Sequence, residues 1–73
     1  MNELTKIQKI FRKVFDNQEL IINLESNAFD IEEWDSIMHI VLLHEIEKVF
    51  GIKFKSNQIN EIKNVRDILN IIN

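Results

Sequence analysis

The chain contains no cysteine, no proline and a single glycine, Gly51, in 73 residues. Without cysteine there is no disulfide, no thiolate metal site and no cysteine nucleophile, so any thiol chemistry has to be imported; a cytoplasmic address is in keeping with this. With one glycine, a G-x-S-x-G elbow, a P-loop and a dinucleotide fingerprint are all excluded. Most small-enzyme readings go with them. No apolar run approaches the roughly 18 residues that a membrane span requires. Residues 1–13 interleave Glu3, Lys6, Lys9, Arg12 and Lys13 with their apolar side chains, which predicts neither a signal peptide nor membrane insertion. One absence is local: residues 14–47 hold nine acids and no Lys or Arg, while the rest of the chain holds three acids and all nine bases. A field of one sign repels phosphate backbones and attracts basic protein patches, which argues against nucleic acid and for a protein partner. The simpler alternative is a solvated acidic face.

What is present is a soluble globular composition, 45% hydrophobic and 29% charged. A chain of this length makes one domain, residues 1–73, that buries only roughly 60% of its unfolded surface and is marginally stable. It is expected to be a monomer. From Leu4 to Phe15 the apolar residues 4, 7, 10, 11, 14 and 15 follow the i, i+3, i+4, i+7 pattern of an amphipathic helix. Residues 16–35 show no clean period, yet Leu20, Ile21, Ile22, Leu24, Phe29, Ile31 and Trp34 should pin them to a core, with one helical turn near residues 30–33. Asp35 and Ser36 then offer capping oxygens to a helix over residues 37–50 that Gly51 ends. Its apolar arc is wide. Ile40, Leu43, Ile46, Val49 and Phe50 fall on one side, leaving Ile37, Met38 and Val41 partly outward as a docking surface. Ser56 or Asn57 can cap a short helix to Ile62, and Asn64 with Asp67 opens a last helix over residues 65–72. The expected fold is all-α, a small four-helix bundle of three main helices and one short one.

Candidate chemistry is sparse. His39 and His44 stand about 140° apart on a helix and HEIEK is not HExxH, so a metal site is not expected, and surface or partner-contact histidines are. Asp35, Ser36 and His39 lie too close along one helix to supply nucleophile, base, orienter and oxyanion hole together. Trp34 reads as a hydrophobic lid on the core. Ser36 is either an ordinary cap or something more: a helix N-terminus, with free N–H groups and a positive dipole end, accommodates a phosphodiester on a serine.

Asp35-Ser36-Ile37, followed by an apolar helix closing on Glu47-Lys48-Val49-Phe50-Gly51-Ile52, resembles the D-S-L/I motif and recognition helix of acyl carrier proteins. The resemblance spans essentially the whole chain, including the long ordered loop with Phe29 and the last helix opening at Asn64-Val65. It implies that a phosphopantetheinyl transferase, using coenzyme A and magnesium, attaches 4′-phosphopantetheine to Ser36, with Asp35 as a contact for the transferase. The cofactor's thiol then carries acyl groups as thioesters to acyl-loading, elongating or transferring enzymes, and the protein itself catalyses nothing. The resemblance further implies partner contacts at Ile37, Met38, Val41 and His44. It places an acyl-chain pocket at Ile40, Ile46, Phe50, Phe54 and Ile62, made shallower by bulky Phe54. Met38, His39, Val41, His44 and Lys48 stand where fatty-acid-synthesis carriers usually present acids, and Trp34 where a small residue is common. These departures suggest a dedicated carrier for surface-polysaccharide, lipid or secondary-metabolite assembly. The rival reading is an unmodified helical interaction module whose Ser36 only caps a helix.

Overall fold

The ends of each helix follow from the side chains that meet its unpaired backbone groups. In the computed structural model, which describes residues 2–72, α1 spans Glu3–Val14, α2 Ser36–Phe50, α3 Ser56–Glu61 and α4 Val65–Ile72. The expected all-α bundle of four helices is what forms, with no strand among the described residues; only positions 1 and 73 of the 1–73 span lie outside them. Asn2 caps α1 by accepting the Thr5 N–H at 2.9 Å. Gly51 ends α2 at φ 65°, a left-handed conformation that costs an L side chain energy but not glycine. α3 starts differently from expectation: Lys55 occupies the cap position, and Gln58 Oε1 reaches back to accept the Lys55 N–H at 2.8 Å. Neither Ser56 nor Asn57 caps it. At α4 Asn64 Oδ1 accepts the Asp67 N–H at 2.9 Å, and Asp67 returns the favour to the Lys63 N–H at 2.8 Å.

The long segment between α1 and α2 is ordered by hydrogen bonds as much as by apolar contacts. Arg12 Nε donates to the Leu20 carbonyl at 2.7 Å, and the Ile22 N–H donates to Gln8 Oε1 at 3.0 Å. Further along, the carbonyls of Leu24 and Ser26 accept the Arg66 and Val65 N–H groups, which are orphan donors of the first turn of α4. An Arg66–Glu25 ion pair reinforces the junction. Residues 30–33 form turns and not the helical turn expected. Two of the apolar residues expected to anchor the segment do not: Phe29 is 100% and Ile21 78% exposed. Ile22, Ile31 and Trp34 carry that role, all buried.

Buried side chains from every segment join in one cluster, with Ile7 and Phe11 of α1, Leu42, Leu43 and Ile46 of α2, Phe54 and Ile62 flanking α3, and Val65 and Ile68 of α4. Phe11 meets Trp34 edge-on with ring centroids 5.3 Å apart, a favoured aromatic geometry. Trp34 is therefore core, as its place before a helix suggested. It fixes the chain two residues upstream of Ser36.

Candidate functional site

The start of α2 assigns different tasks to Asp35 and Ser36. Asp35 is the N-cap: its backbone is extended and its Oδ1 accepts the Met38 N–H at 2.8 Å. Ser36 is the first helical residue, exposed, and its hydroxyl makes no hydrogen bond among the described residues. The sequence offered both side chains as capping oxygens, and the structure uses only the carboxylate. The hydroxyl is thereby left free at the positive end of a four-turn helix. It differs in this from Ser26, which is buried and accepts the Asn23 N–H at 2.9 Å.

Around the circumference of α2 the inward face is not quite the one read from the sequence. Leu42, Leu43 and Ile46 are buried, with Phe50 half-buried against the same core. Ile40, expected among the interior pocket residues, is 46% exposed, and Val49 is also turned outward. The reason is geometric: with about 100° per residue, Leu42, Ile46, Phe50 and Leu43 span one arc, and Ile40 falls outside it. Ile46, Phe54 and Ile62 do lie inside, Phe50 partly. Ile37 (74% exposed), Val41 and Ile40 instead share the outer side beside Ser36. Met38 is half-buried against the core and contributes only partly to that face. His44 is exposed, its Nδ1 3.7 Å from a Glu47 carboxylate oxygen.

His39 is the residue that sequence reasoning placed wrongly. Far from lying free on the surface, its ring is part-buried between Trp34, whose Nε1–H it meets at 2.9 Å, and the Ile59 carbonyl, also at 2.9 Å. The two rings stack with centroids 5.9 Å apart. The available signal was the spacing of an indole donor and an imidazole on either side of a capped helix start. Trp34, His39 and Ile59 border a groove of about 550 Å³ that opens beside Asp35 and Ser36. Among the described residues no cluster of three or more His, Cys, Asp or Glu side chains is arranged to hold a metal.

Electrostatically the mouth of the site is acidic, with Asp30, Glu32, Glu33 and Asp35 all exposed within six residues of Ser36. Farther down α2, Glu45 has its carboxyl held below the usual range. The cause is first the hydrogen bond from Lys13 Nζ at 2.7 Å, opposed by partial desolvation and aided by the charges of Lys13 and Lys48. This ion pair ties α2 to α1 and lies away from the serine.

The site is thus an exposed serine hydroxyl with no hydrogen bond among the described residues, on the first residue of a capped helix in a cysteine-free four-helix bundle. The family described as "Phosphopantetheine attachment site" matches residues 5–72. The acyl carrier protein of Coprothermobacter proteolyticus is 30% identical over 67 residues, covering 92% of this chain and 82% of that protein. The solution structure of holo acyl carrier protein from Geobacter metallireducens superposes with a TM-score of 0.89 at 35% identity, covering 99% of this chain and 83% of that one. The chain belongs to the acyl carrier protein family, whose prosthetic group is covalently attached phosphopantetheine.

Proposed function

We propose that Ser36 is the attachment residue and that the protein presents acyl groups to the enzymes of a dedicated pathway. The observation that carries the first part is the division of labour at α2: Asp35 Oδ1 takes the cap at 2.8 Å and leaves Ser36 Oγ unengaged and exposed. In the modification, Ser36 Oγ bonds to phosphorus of coenzyme A, the adenosine bisphosphate portion leaves with the bridging oxygen, and the serine proton passes to a base of the transferase. The residues fit the product. A phosphodiester on Ser36 would lie beside the first turn of α2, where the helix dipole favours an anion by about 0.3–1 kcal/mol and the exposed acids before the helix oppose it. When bound, the group supplies a thiol on a flexible arm, the one chemistry that this cysteine-free chain lacks.

Partner enzymes would read the outer side of α2. Ile37, Ile40 and Val41 form an exposed apolar strip next to the serine, with Met38 and His44 at its margins and Asp35 as the contact for the transferase. A partner with an apolar pocket and a basic rim complements this strip and the acids leading up to it. The apolar and imidazole side chains at positions where housekeeping carriers present acids support a specialised pathway, such as surface-polysaccharide, lipid or secondary-metabolite assembly. Incubation with a broad-specificity phosphopantetheinyl transferase, coenzyme A and magnesium is expected to add the mass of one phosphopantetheine to the protein and nothing to Ser36→Ala. An unchanged wild-type mass would instead support an unmodified interaction module.

A further inference from the structure

Trp34, His39 and Ile59 form a polar chain along the groove that Ser36 also lines. The indole Nε1–H can only donate and the Ile59 carbonyl can only accept. His39 therefore accepts from Trp34 at Nδ1 and donates to Ile59 from Nε2, each at 2.9 Å, which fixes the ring's proton on Nε2. One side chain thus links the segment before α2, α2 itself and α3. It lines the groove of about 550 Å³ that opens beside Ser36. One turn further along the same face of α2 come the fully buried Leu42 and Leu43, and one turn beyond them Ile46.

We propose that His39 is a latch that closes the interior between α2 and α3, so that whatever the Ser36 arm carries rests in the outer groove, and that this cargo is a short acyl group bearing a hydroxyl. The inference rests on the carrier reading of Ser36. An alkyl chain threading inward has to part His39 from Ile59. That leaves the part-buried Nε2–H and the Ile59 carbonyl without each other next to apolar side chains, a cost no alkyl contact repays in kind. The groove asks for no such break. Phe29 and Ile62 give it apolar walls, while Asn60 and Lys63 at its rim have side-chain donors that make no hydrogen bond or ion pair among the described residues. Free amide and ammonium donors suit oxygen-bearing substituents near the thioester end. Asp35, the acid in the lining, has Oδ1 committed to its cap.

The test uses isotope-labelled holo protein loaded with acetyl, 3-hydroxybutyryl, succinyl or dodecanoyl groups. In the wild type the 3-hydroxybutyryl group shifts the amides of Asn60 and Lys63, the succinyl group, repelled by the acids at the mouth, shifts them less, the dodecanoyl group leaves the methyls of Leu42, Ile46 and Ile68 in place, and hydroxylamine cleaves the acetyl and dodecanoyl thioesters at similar rates. In His39→Ala the dodecanoyl group moves those methyls and becomes severalfold slower to cleave. Trp34→Phe, which removes the donor and also part of the buried ring system, changes in the same direction by less. Wild-type protein that protects dodecanoyl over acetyl, or whose interior methyls move with it, overturns the latch. On the unloaded protein, imidazole nitrogen shifts must report the Nε2–H tautomer; an Nδ1–H tautomer overturns the latch whatever the cargo. Absence of any phosphopantetheine addition defeats the carrier reading and the assigned cargo with it, a result separate from the tautomer measurement.

Discussion

The two ends of α2 are built to opposite specifications. Its C-terminal half is committed to the fold: Leu42, Leu43 and Ile46 are buried, Glu47 Oε2 accepts the Phe54 N–H at 2.7 Å, and Gly51 closes the helix in the left-handed region. Its N-terminal end turns His39 and Met38 inward but keeps its outer side uncommitted. Ser36 Oγ has no partner among the described residues, and Ile37, Ile40 and Val41 remain exposed although they are as apolar as the residues inside. The contrast teaches that a helix in a small carrier domain can hold stability at one end and recognition at the other, provided a neighbouring residue supplies the cap. Asp35 is that residue.

Substitution at matched apolar positions should break the comparison if it is wrong. Ile46→Ala removes a fully buried side chain and is expected to cost about 2–5 kcal/mol. Against a total of roughly 4–11 kcal/mol for a domain of this size, a large part of the cooperative transition is lost in thermal or urea unfolding. Ile37→Ala, 74% exposed, should change stability by less than about 0.5 kcal/mol and instead slow transfer to or from partner enzymes. Equal destabilisation by both would remove the distinction. The next contrast is between adjacent residues. Asp35→Ala should cost about 0.5–2 kcal/mol through the lost cap, while Ser36→Ala stays within about 0.5 kcal/mol. Urea midpoints at constant slope decide it.

At the other end, Gly51→Ala should cost about 1–2 kcal/mol. A Cβ there meets nothing within 4 Å, so this loss comes from the left-handed backbone alone and should appear in the unfolding midpoint without any change in modification by the transferase. The smallest effect concerns Glu45. Its carboxyl is held low chiefly by the Lys13 hydrogen bond, so the pair's contribution is present above the ordinary carboxylate range and is lost as pH falls through the lower folded value. In Lys13→Ala the Glu45 carboxyl carbon should titrate at higher pH than in the wild type, which sharpens the boundary between the structural and the presenting parts of α2.

Much of this arrangement was legible in the sequence because its signals are local. The period of α1, glycine at position 51 and the Asn64–Asp67 pair mark helix limits through backbone hydrogen bonds that need no tertiary knowledge, and the chain obeys them. Ser36 was singled out by its place ahead of an apolar helix. What escaped reading depends on contacts between distant segments. His39 looks like a surface histidine until Ile59, twenty residues on, supplies a carbonyl. Ile40 looks internal until Leu42 proves the better fit to the core, and Phe29 looks like an anchor until Ile22 and Ile31 take that part. An apolar arc wider than one core face cannot say which of its edges is left outside.

The most direct measurement is to locate the added mass within the modified protein by fragmentation. The chain has three serines: Ser26, buried with its hydroxyl engaged; Ser56, exposed on the six-residue α3; and Ser36. All of the phosphopantetheine is expected on Ser36. Its appearance on Ser56, or on no serine at all, would contradict the claim that Asp35 caps α2 in order to leave the Ser36 hydroxyl free.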